Sequence, residues 1–240
     1  MVSRNSTPLN PWEQRSRRAR FLAEGFPAAR EILTFYAGLA EWQGHVAPQL
    51  TSFSQVTRVM PSLLSYVTSA APPVLAQSAR EFDMHLAETI LRDYWQTRQT
   101  EPLTDFFARA ALQPYASRLP EGFDCPGCRQ PPQAGCLRKQ GDGQAFELVC
   151  FLCLRRRPFA RTTCPGCNTS ADSAIVHYTA TAFPHLRLLA CENCKGSLIV
   201  VDLEKDPAAI PEVDELAALP LHLWAVEHGY HKLQPNFAGV

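Results

Sequence analysis

Residues 125–128 have the sequence Cys-Pro-Gly-Cys, and the same four residues recur at 164–167. Each copy is followed by a second Cys-x-x-Cys pair, at 150–153 and at 191–194. Two residues between cysteines let both sulfurs face one metal ion from a single tight turn, and a second such turn completes a tetrahedral four-cysteine site. The repeat therefore predicts two metal sites. Their ligands would be Cys125, Cys128, Cys150, Cys153, Cys164, Cys167, Cys191 and Cys194.

The pairing of these four units stays open at this point, because four units combine two by two in three ways. The repeat favours sequential pairing, in which 125–128 joins 150–153 and 164–167 joins 191–194. Cys136 is left over, and we expect it to be a small buried apolar side chain. Tetrahedral sulfur ligands suit iron or zinc, and the spacing does not separate the two metals.

Two other uses of the cysteines are disfavoured. A disulfide framework is typical of secreted chains, whereas residues 1–20 carry positive charge without the apolar stretch of a secretory signal. A thioredoxin-like redox motif would explain one Cys-x-x-Cys pair but not four.

Residues 1–123 contain no cysteine and predict a bundle of about four to six helices. One helix face is expected from Leu75 to Tyr94, because apolar residues recur there every three or four positions. A second helix is expected to begin near Pro27. A third carries Leu103 to Ala110, and Pro114 is expected to end it.

The remainder of the chain has a different pattern. Short strand-like runs occur at 146–151, 174–178 and 186–190, between turn-forming residues. In the tail, Asp206 and Pro207 suit a helix start, Gly229 suits a helix end, and two further prolines are expected to divide the segment.

These patterns predict an α+β multidomain protein. An N-terminal helical bundle at 1–123 would precede two rubredoxin-like or zinc-ribbon-like four-cysteine subdomains, at 124–160 and 161–203, and a C-terminal helical segment at 204–240. Because the helices have an apolar core of their own, we expect Cys125→Ser or Cys164→Ser to loosen the ribbons and leave the helices folded.

Composition and charge narrow the classes of function. The chain of 240 residues has 23 basic and 23 acidic side chains, which argues against a strongly basic nucleic-acid-binding protein. Arg155, Arg156 and Arg157 could offset thiolate charge, lie on a solvated face or, as the least favoured choice, contact phosphates. No run of about 18 apolar residues is present, so we expect no membrane insertion and a cytoplasmic protein. Catalytic motifs are absent, so we do not expect an enzyme.

Three stretches of the chain resemble the formate dehydrogenase accessory proteins, the FdhE family. They are RRARFLAEGFPAAREILTFYAGLAEWQ at 17–43, the series from CPGC at 125–128 to CENCKGSLIVVDLEKDP at 191–207, and PEVDELAALPLHLWAVEHGYHKLQPNFAGV at 211–240. The cysteine pairs alone would fit many ribbon proteins. The run from Cys191 into the tail makes the resemblance specific.

The resemblance implies a cytoplasmic assembly factor that contacts the catalytic subunit of respiratory formate dehydrogenase before that subunit is exported. It also implies a helical domain joined to two rubredoxin-like ribbons, with the eight paired cysteines as ligands and iron as the favoured metal. Two alternatives use the same cysteines. One is a rubredoxin-like electron-transfer or thiol-redox protein, and the other, less favoured, is a zinc-ribbon nucleic-acid-binding module.

One detail departs from the usual ribbon pattern. Each Cys-x-x-Cys turn of such a site, here called a knuckle, commonly has glycine after its second cysteine, where the backbone adopts a positive φ. This chain has Arg129 and Asn168 at two of these positions. Asparagine tolerates that conformation, whereas arginine would adopt it at a cost.

Overall fold

The computed structural model describes residues 10–96, 101–171 and 173–239 of the chain. In this part of the chain the predicted N-terminal bundle is confirmed. Its helices are α1 Pro11–Gly25, α2 Arg30–Val46, α3 Val56–Ala70, α4 Pro73–Glu81, α5 Ala87–Trp95 and α6 Pro102–Ala116. Short 3-10 turns lie at Pro27–Ala29, Ala47–Gln49, Phe53–Gln55 and Met84–Leu86. The helix expected near Pro27 thus begins with a 3-10 turn.

The expected helix from Leu75 to Tyr94 is interrupted, which corrects the prediction of one continuous element. Helix α4 ends at Glu81, and α5 begins at Ala87. Asp83 adopts an extended conformation between them, and its side chain accepts a hydrogen bond from the His85 N–H. A short acidic side chain that bonds the next amides favours a cap over a helix interior. Leu86, which the apolar spacing placed on the same face, lies in the intervening 3-10 turn and is 52% exposed.

Pro114 does not end its helix, contrary to the sequence prediction, because α6 continues to Ala116. A proline inside a helix removes one N–H and leaves the carbonyl four residues earlier without its usual partner. That carbonyl belongs to Ala110, and it accepts a hydrogen bond of 3.0 Å from the Gln43 side-chain amide of α2. The buried Gln43 therefore makes the proline tolerable at this position.

In the described residues, the cysteine-rich part contributes six strands to one mixed sheet and the tail contributes a seventh. The strands are β1 Ala134–Gln140, β2 Gly143–Val149, β3 Arg156–Pro158, β4 Ile175–Thr179, β5 Leu186–Cys191, β6 Gly196–Asp202 and β7 His231–Lys232. Their order in the sheet is β3-β2-β1-β6-β5-β4, with β7 beside β6. The three predicted strand runs overlap β2, β4 and β5, whereas the other strands were not predicted.

A parallel pairing of β1 with β6 joins the two ribbons into this sheet. The paired residues are Gly135 with Val200, Cys136 with Val201 and Leu137 with Asp202. A Cβ atom on Gly135 would lie 2.6 Å from the Phe146 ring and 3.2 Å from a Val200 methyl group, so glycine is required here. The two ribbons therefore share a backbone ladder and apolar packing.

The C-terminal segment contains helices α7 Pro211–Ala217 and α8 Leu219–Glu227. The predicted division by prolines and the end near Gly229, which has φ +82°, are confirmed. The predicted start at Asp206 and Pro207 is wrong, because the first helix of the tail begins only at Pro211. Asp206 instead accepts the Ala208 N–H in a turn and forms an ion pair with Arg18 of α1.

Helices α7 and α8 connect the bundle to the sheet. Val213, Leu216 and Ala217 belong to the apolar core of the bundle. Ala218 and Leu221 belong to the core that covers one face of the sheet. No helix in residues 10–96, 101–171 and 173–239 combines the length and hydropathy that a membrane span requires.

Candidate metal centres

The first cluster of cysteines forms where β2 ends beside a 3-10 turn. Cys125 precedes the turn Pro126–Arg129, which contains Cys128. Cys150 follows the last residue of β2, and Cys153 lies in the turn after it. The four sulfurs lie within 4.8 Å of one another, and those of Cys128 and Cys153 are 3.5 Å apart.

The second cluster forms at the β5–β6 hairpin. Cys191 is the last residue of β5, and Cys194 lies two residues before β6 begins. These two cysteines meet Cys164 and Cys167, again within 4.8 Å. The sulfurs of Cys164 and Cys194 are 3.8 Å apart, as are those of Cys167 and Cys191. The structure thus brings the eight predicted ligands together in the sequential pairing that the repeat favours.

The sulfur separations fit tetrahedral metal sites. Four sulfurs about 2.3 Å from one ion would lie about 3.8 Å from each other. The separations of 3.5–3.8 Å match this geometry, whereas a disulfide needs about 2.05 Å. All nine cysteines are free thiols. Each cluster can therefore hold one metal ion, and a set of four sulfurs accepts zinc or iron alike.

Backbone geometry at three of the four knuckles follows the pattern in which a positive φ comes after the second cysteine. The residues are Leu154, Asn168 and Lys195, with φ of 61°, 58° and 58°. Their N–H groups donate to the carbonyls of Cys150, Cys164 and Cys191 at 3.1, 2.9 and 2.8 Å.

Arg129 does not adopt the positive φ that the sequence pattern implied, and so it avoids the energetic cost of that conformation. It ends a 3-10 turn and is not among the residues with positive φ. The next amide, that of Gln130, donates to the Gly127 carbonyl at 3.2 Å. The first knuckle thus closes as a 3-10 turn and does not require a left-handed residue.

Several groups donate hydrogen bonds to the sulfurs, although neighbouring thiols and burial raise the pKa of Cys150, and burial raises the pKa of Cys164. The N–H of Leu152 donates to Cys150 at 3.4 Å, and the N–H of Gly166 donates to Cys164 at 3.3 Å. The Asn193 side chain donates to Cys167 at 3.4 Å, and this bond makes the largest contribution among the hydrogen bonds that lower the pKa of that thiol to about 6. Hydrogen bonds from the neighbouring thiols also lower the pKa of Cys153. Metals bind the thiolate, so these donors favour ligation.

The two clusters differ in their surroundings. Around the first, Phe151 and Leu152 enter the apolar core of the helical bundle. The side chain of Gln113 in α6 donates to the Phe151 carbonyl at 2.8 Å, and Tyr94 meets the Phe151 ring edge-on. Only Cys128 of this cluster is partly exposed. The first cluster is therefore part of the interface between bundle and sheet.

The second cluster lies away from the bundle core. Cys167 and Cys194 are partly exposed, whereas Cys164 and Cys191 are buried. Leu233, which follows β7, packs against the glycines of both knuckles. The second cluster thus depends on the ribbon and the tail, and two of its sulfurs lie near solvent.

The arginine tract after Cys153 is largely occupied within the structure. Arg155 donates to the Leu119 carbonyl, and Arg157 donates to the Cys128 carbonyl. Arg156 is exposed. Two of these three arginines are therefore held by backbone carbonyls around the first cluster, which favours a structural role over contacts to phosphate.

Two further positions bear on the sequence predictions. Cys136 is fully buried, as predicted, and burial raises its pKa to about 11.

The structure also brings His185, Asp206 and Asp214 within 4.8 Å, a group that the sequence analysis missed. Arg18 donates hydrogen bonds to both carboxylates. Because this guanidinium already binds both carboxylates, the group is an ion-pair network between α1 and the tail.

Comparison with known proteins adds evidence from outside the chain. No family model matches it. The chain is 21% identical to an FdhE homologue of Aquifex aeolicus, in an alignment that covers 96% of this chain and 98% of that relative. It is 34% identical to an FdhE homologue of Pseudomonas putida, but over 47% of this chain and 37% of that relative.

A solved structure has the same fold. The crystal structure of the FdhE protein from Pseudomonas aeruginosa matches with a TM-score of 0.69 and 23% identity, over 94% of each chain. The match covers both the helical bundle and the ribbon sheet. The resemblance that the sequence carries is thereby confirmed: the chain is similar to proteins named FdhE homologues and shares the fold of the FdhE protein from Pseudomonas aeruginosa.

Proposed function

We propose that this chain is a cytoplasmic, metal-binding accessory protein that assists the assembly of respiratory formate dehydrogenase and contacts its catalytic subunit. It would act as a chaperone and catalyse no reaction of its own. The observation that carries the proposal is the presence of two four-cysteine clusters within a fold that matches FdhE over 94% of each chain.

The eight cysteines would hold two ions of iron or zinc as thiolate ligands. Bound in this way, each ion cross-links two knuckles of the sheet and, if it is iron, also supplies one-electron redox chemistry. The chain's own residues orient the sulfurs and stabilise their charge. Amides such as those of Leu152 and Gly166 donate to thiolates, and the left-handed residues close the turns.

The partner contact can be tested with purified proteins. The metal-loaded chain, immobilised through a tag, should retain the catalytic subunit of formate dehydrogenase and not an unrelated protein of similar size. Deletion of the gene for the chain should reduce formate oxidation, and the intact gene should restore it. Absence of retention together with unchanged formate oxidation in the deletion strain would contradict the proposal.

A second function, electron transfer, is favoured by one observation: Cys167 and Cys194 are partly exposed. A metal centre near the surface can exchange electrons with a partner more readily than a buried one. If the chain transfers electrons, anaerobically purified protein should show ferric-thiolate absorption that disappears on reduction and returns on oxidation. A colourless zinc protein would exclude this function.

A further inference from the structure

The two cysteine clusters are covered to different depths. Cys125, Cys150 and Cys153 of the first cluster belong to the apolar core that contains the bundle helices. The cysteines of the second cluster lie outside that core, and Cys167 and Cys194 are partly exposed. Full access to the first cluster therefore requires the helical bundle to open, whereas access to the second does not.

A single leucine of the tail, Leu233, covers the second cluster. A Cβ atom on Gly166 would lie 2.5 Å from a Leu233 methyl group, and one on Gly196 would lie closer still. The same two Cβ positions are 3.6 and 3.1 Å from the sulfur of Cys194. The leucine methyl group and the cysteine sulfur thus border the same small space, which glycine in both knuckles leaves free for Leu233.

Residues 230–233, here called the strap, hold Leu233 against the cluster through a few backbone hydrogen bonds. The His231 N–H donates to the Lys195 carbonyl at 2.8 Å, and the Leu233 N–H donates to the Ser197 carbonyl at 3.0 Å. The Ser197 hydroxyl donates to the His231 carbonyl at 3.2 Å. Because β7 has only two residues, the strap can detach from β6 while the rest of the sheet stays paired.

Side chains attach the strap on two sides. The Tyr230 hydroxyl donates to the carboxylate of Glu192 in the second cluster, and the Lys195 ammonium lies 5.5 Å from the centre of the Tyr230 ring. Lys232 forms an ion pair with the buried Glu215 of α7. The strap therefore connects the Cys191–Cys194 knuckle to a helix of the tail, with Leu233 above the sulfurs.

Exchange at a four-thiolate centre requires an incoming ligand to reach the ion. The ligand replaces the sulfurs one at a time, and each released thiolate takes a proton from water, so no electrons are transferred. Apolar groups around a metal site control the access of solvent and of such ligands. The rate therefore depends on how easily the cover opens, and a short segment opens locally at a lower cost than a helical core does.

We propose that the second cluster is the exchangeable metal centre of this chain, and that the strap is its cover, with Leu233 as the residue that closes it. The first cluster keeps its ion as part of the interface between bundle and sheet. The acceptor of the exchanged ion is a ligand with sulfur or nitrogen donors. The inference rests on the metal binding in the proposed function, and it does not depend on the partner subunit.

Zinc release from the full-length protein, loaded with zinc at both clusters, tests the difference directly. An excess of a pyridylazo chelator that changes colour on binding zinc should remove the ions in two phases of equal size. The first phase should be at least about tenfold faster than the second. N-ethylmaleimide added during the fast phase, followed by mass spectrometry of the peptides, should label the cysteines of the second cluster and leave those of the first unlabelled.

Two variants test the role of Leu233. Leu233→Ala removes the cover, and Gly166→Ala displaces it, because the added Cβ meets the leucine while its 3.6 Å distance to the Cys194 sulfur is an ordinary contact. Each should accelerate the fast phase at least about fivefold and leave the slow phase unchanged. Since both act on one contact, the double variant should differ from Leu233→Ala by less than about twofold.

Matched controls make the same chemical changes elsewhere. Leu223→Ala shortens a tail leucine that is 50% exposed. Gly143→Ala adds a Cβ whose nearest neighbour, the Gln140 carbonyl oxygen, is 4.0 Å away. Both controls should change either phase by less than about twofold. Thermal unfolding of each variant checks that it is folded, and the labelling of the wild type requires no variant at all.

Several results would overturn the inference and leave metal binding intact. They are release in a single phase, labelling of both clusters during the fast phase, and equal acceleration of both phases by Leu233→Ala. Independent, multiplying effects of Leu233→Ala and Gly166→Ala would refute the role of Leu233 as the cover. A chain that binds no zinc would instead overturn the inference together with the metal-binding part of the proposed function.

Discussion

At the scale of single residues, the knuckles show how much of the metal-site geometry is local. Asn168 occupies the left-handed position that its side chain tolerates, whereas the same conformation costs Leu154 and Lys195 about 1–2 kcal/mol each. The amides of all three close the turns. The sequence pattern predicted the cysteines and Asn168, but the 3-10 closure at Arg129 depends on how the first knuckle packs against Leu152 and Phe151.

A second feature at this scale is the buried pair of Glu215 in α7 and Lys232 in β7. Burial raises the pKa of Glu215, but the charge of Lys232 and a hydrogen bond from His222 outweigh it and bring the pKa to about 2. Burial also lowers the pKa of Lys232 more than Glu215 raises it. Folding therefore stabilises the charged form of Glu215 but not the charged form of Lys232. Of these two partners only the carboxylate titrates in acid, so its shift decides the contribution of the pair to the pH dependence.

Lys232→Met should therefore destabilise the protein in a pH-dependent way. At pH 7 it leaves Glu215 buried without its cation, and we expect a loss of about 3–5 kcal/mol in the free energy of unfolding. In the wild type, the contribution of Glu215 is complete above its unfolded pKa of 4.5 and is lost as the pH falls towards 2. The variant should lose less stability over this interval, which urea unfolding at several pH values measures.

Lys139→Met is the matched control, because Lys139 is exposed in β1. It should change the free energy of unfolding by less than about 0.5 kcal/mol at any of these pH values. Metal loss in acid affects both variants, so the difference between them isolates the pair. Equal stability of the two variants at pH 7 would contradict the role given to Lys232.

At the scale of elements, local patterns predicted the kinds of element better than their ends and partners. The spacing of apolar residues indicated the bundle, but it ran across the break at Asp83. Pro114 was predicted to end a helix that in fact continues, because the compensating donor, Gln43, comes from another helix about 70 residues away in sequence. No local pattern carries that information.

The strand pairing of the sheet likewise could be predicted only in part from local sequence patterns. The repeat predicted two ribbons, and the structure has two cysteine clusters at the expected hairpins. The parallel pairing of β1 with β6, which joins the ribbons, involves residues that lie about 65 positions apart. The residue of the sequence that belongs to this pairing is Gly135. The structure explains why it is a glycine, because Phe146 and Val200 leave no room for a Cβ atom there.

The different surroundings of the two clusters lead to a prediction that departs from the sequence-based expectation for Cys125. Cys125 belongs to the core that contains the helices, whereas Cys164 does not. Cys125→Ser should therefore lower the thermal midpoint of helical circular dichroism, and Cys164→Ser should leave it nearly unchanged. Each variant should lose about half of its bound metal.

The two variants control for each other, because both remove the first cysteine of a Cys-Pro-Gly-Cys knuckle. Circular dichroism in the helical band and metal analysis on the same samples provide the comparison. Equal loss of helical stability in both would show that the first cluster has no special relation to the bundle. Unchanged helices in both would restore the expectation from sequence.

At the scale of the whole molecule, the tail holds the other parts together. Arg15 and Arg18 of α1 form ion pairs with Glu212 and Asp214 of α7, while α7 and α8 also cover the sheet. The division at 123, 160 and 203 stays a prediction. We propose that the helical bundle, the first cluster and the tail unfold as one cooperative unit, because the first cluster and the tail each cross these boundaries, whereas the second cluster can open separately.

Arg18→Met tests this connection. Asp214 is fully buried, so removal of Arg18 leaves its charge without a strong cationic partner, and we expect a loss of about 3–5 kcal/mol in the free energy of unfolding. Arg17→Met is the adjacent control: Arg17 pairs with Glu13 on the surface, and such pairs contribute about 0–1 kcal/mol. Similar unfolding free energies for the two variants would show that α1 and the tail are joined by apolar packing alone.

The central claim is that the two cysteine clusters are metal centres. Metal analysis combined with X-ray absorption at the metal edge, on protein purified without oxygen, tests it most directly. The account predicts two metal ions per chain, one for each cluster, each surrounded by four sulfur atoms at about 2.3 Å. A chain that carries no stoichiometric metal, or whose metal is bound by nitrogen and oxygen, would contradict the claim.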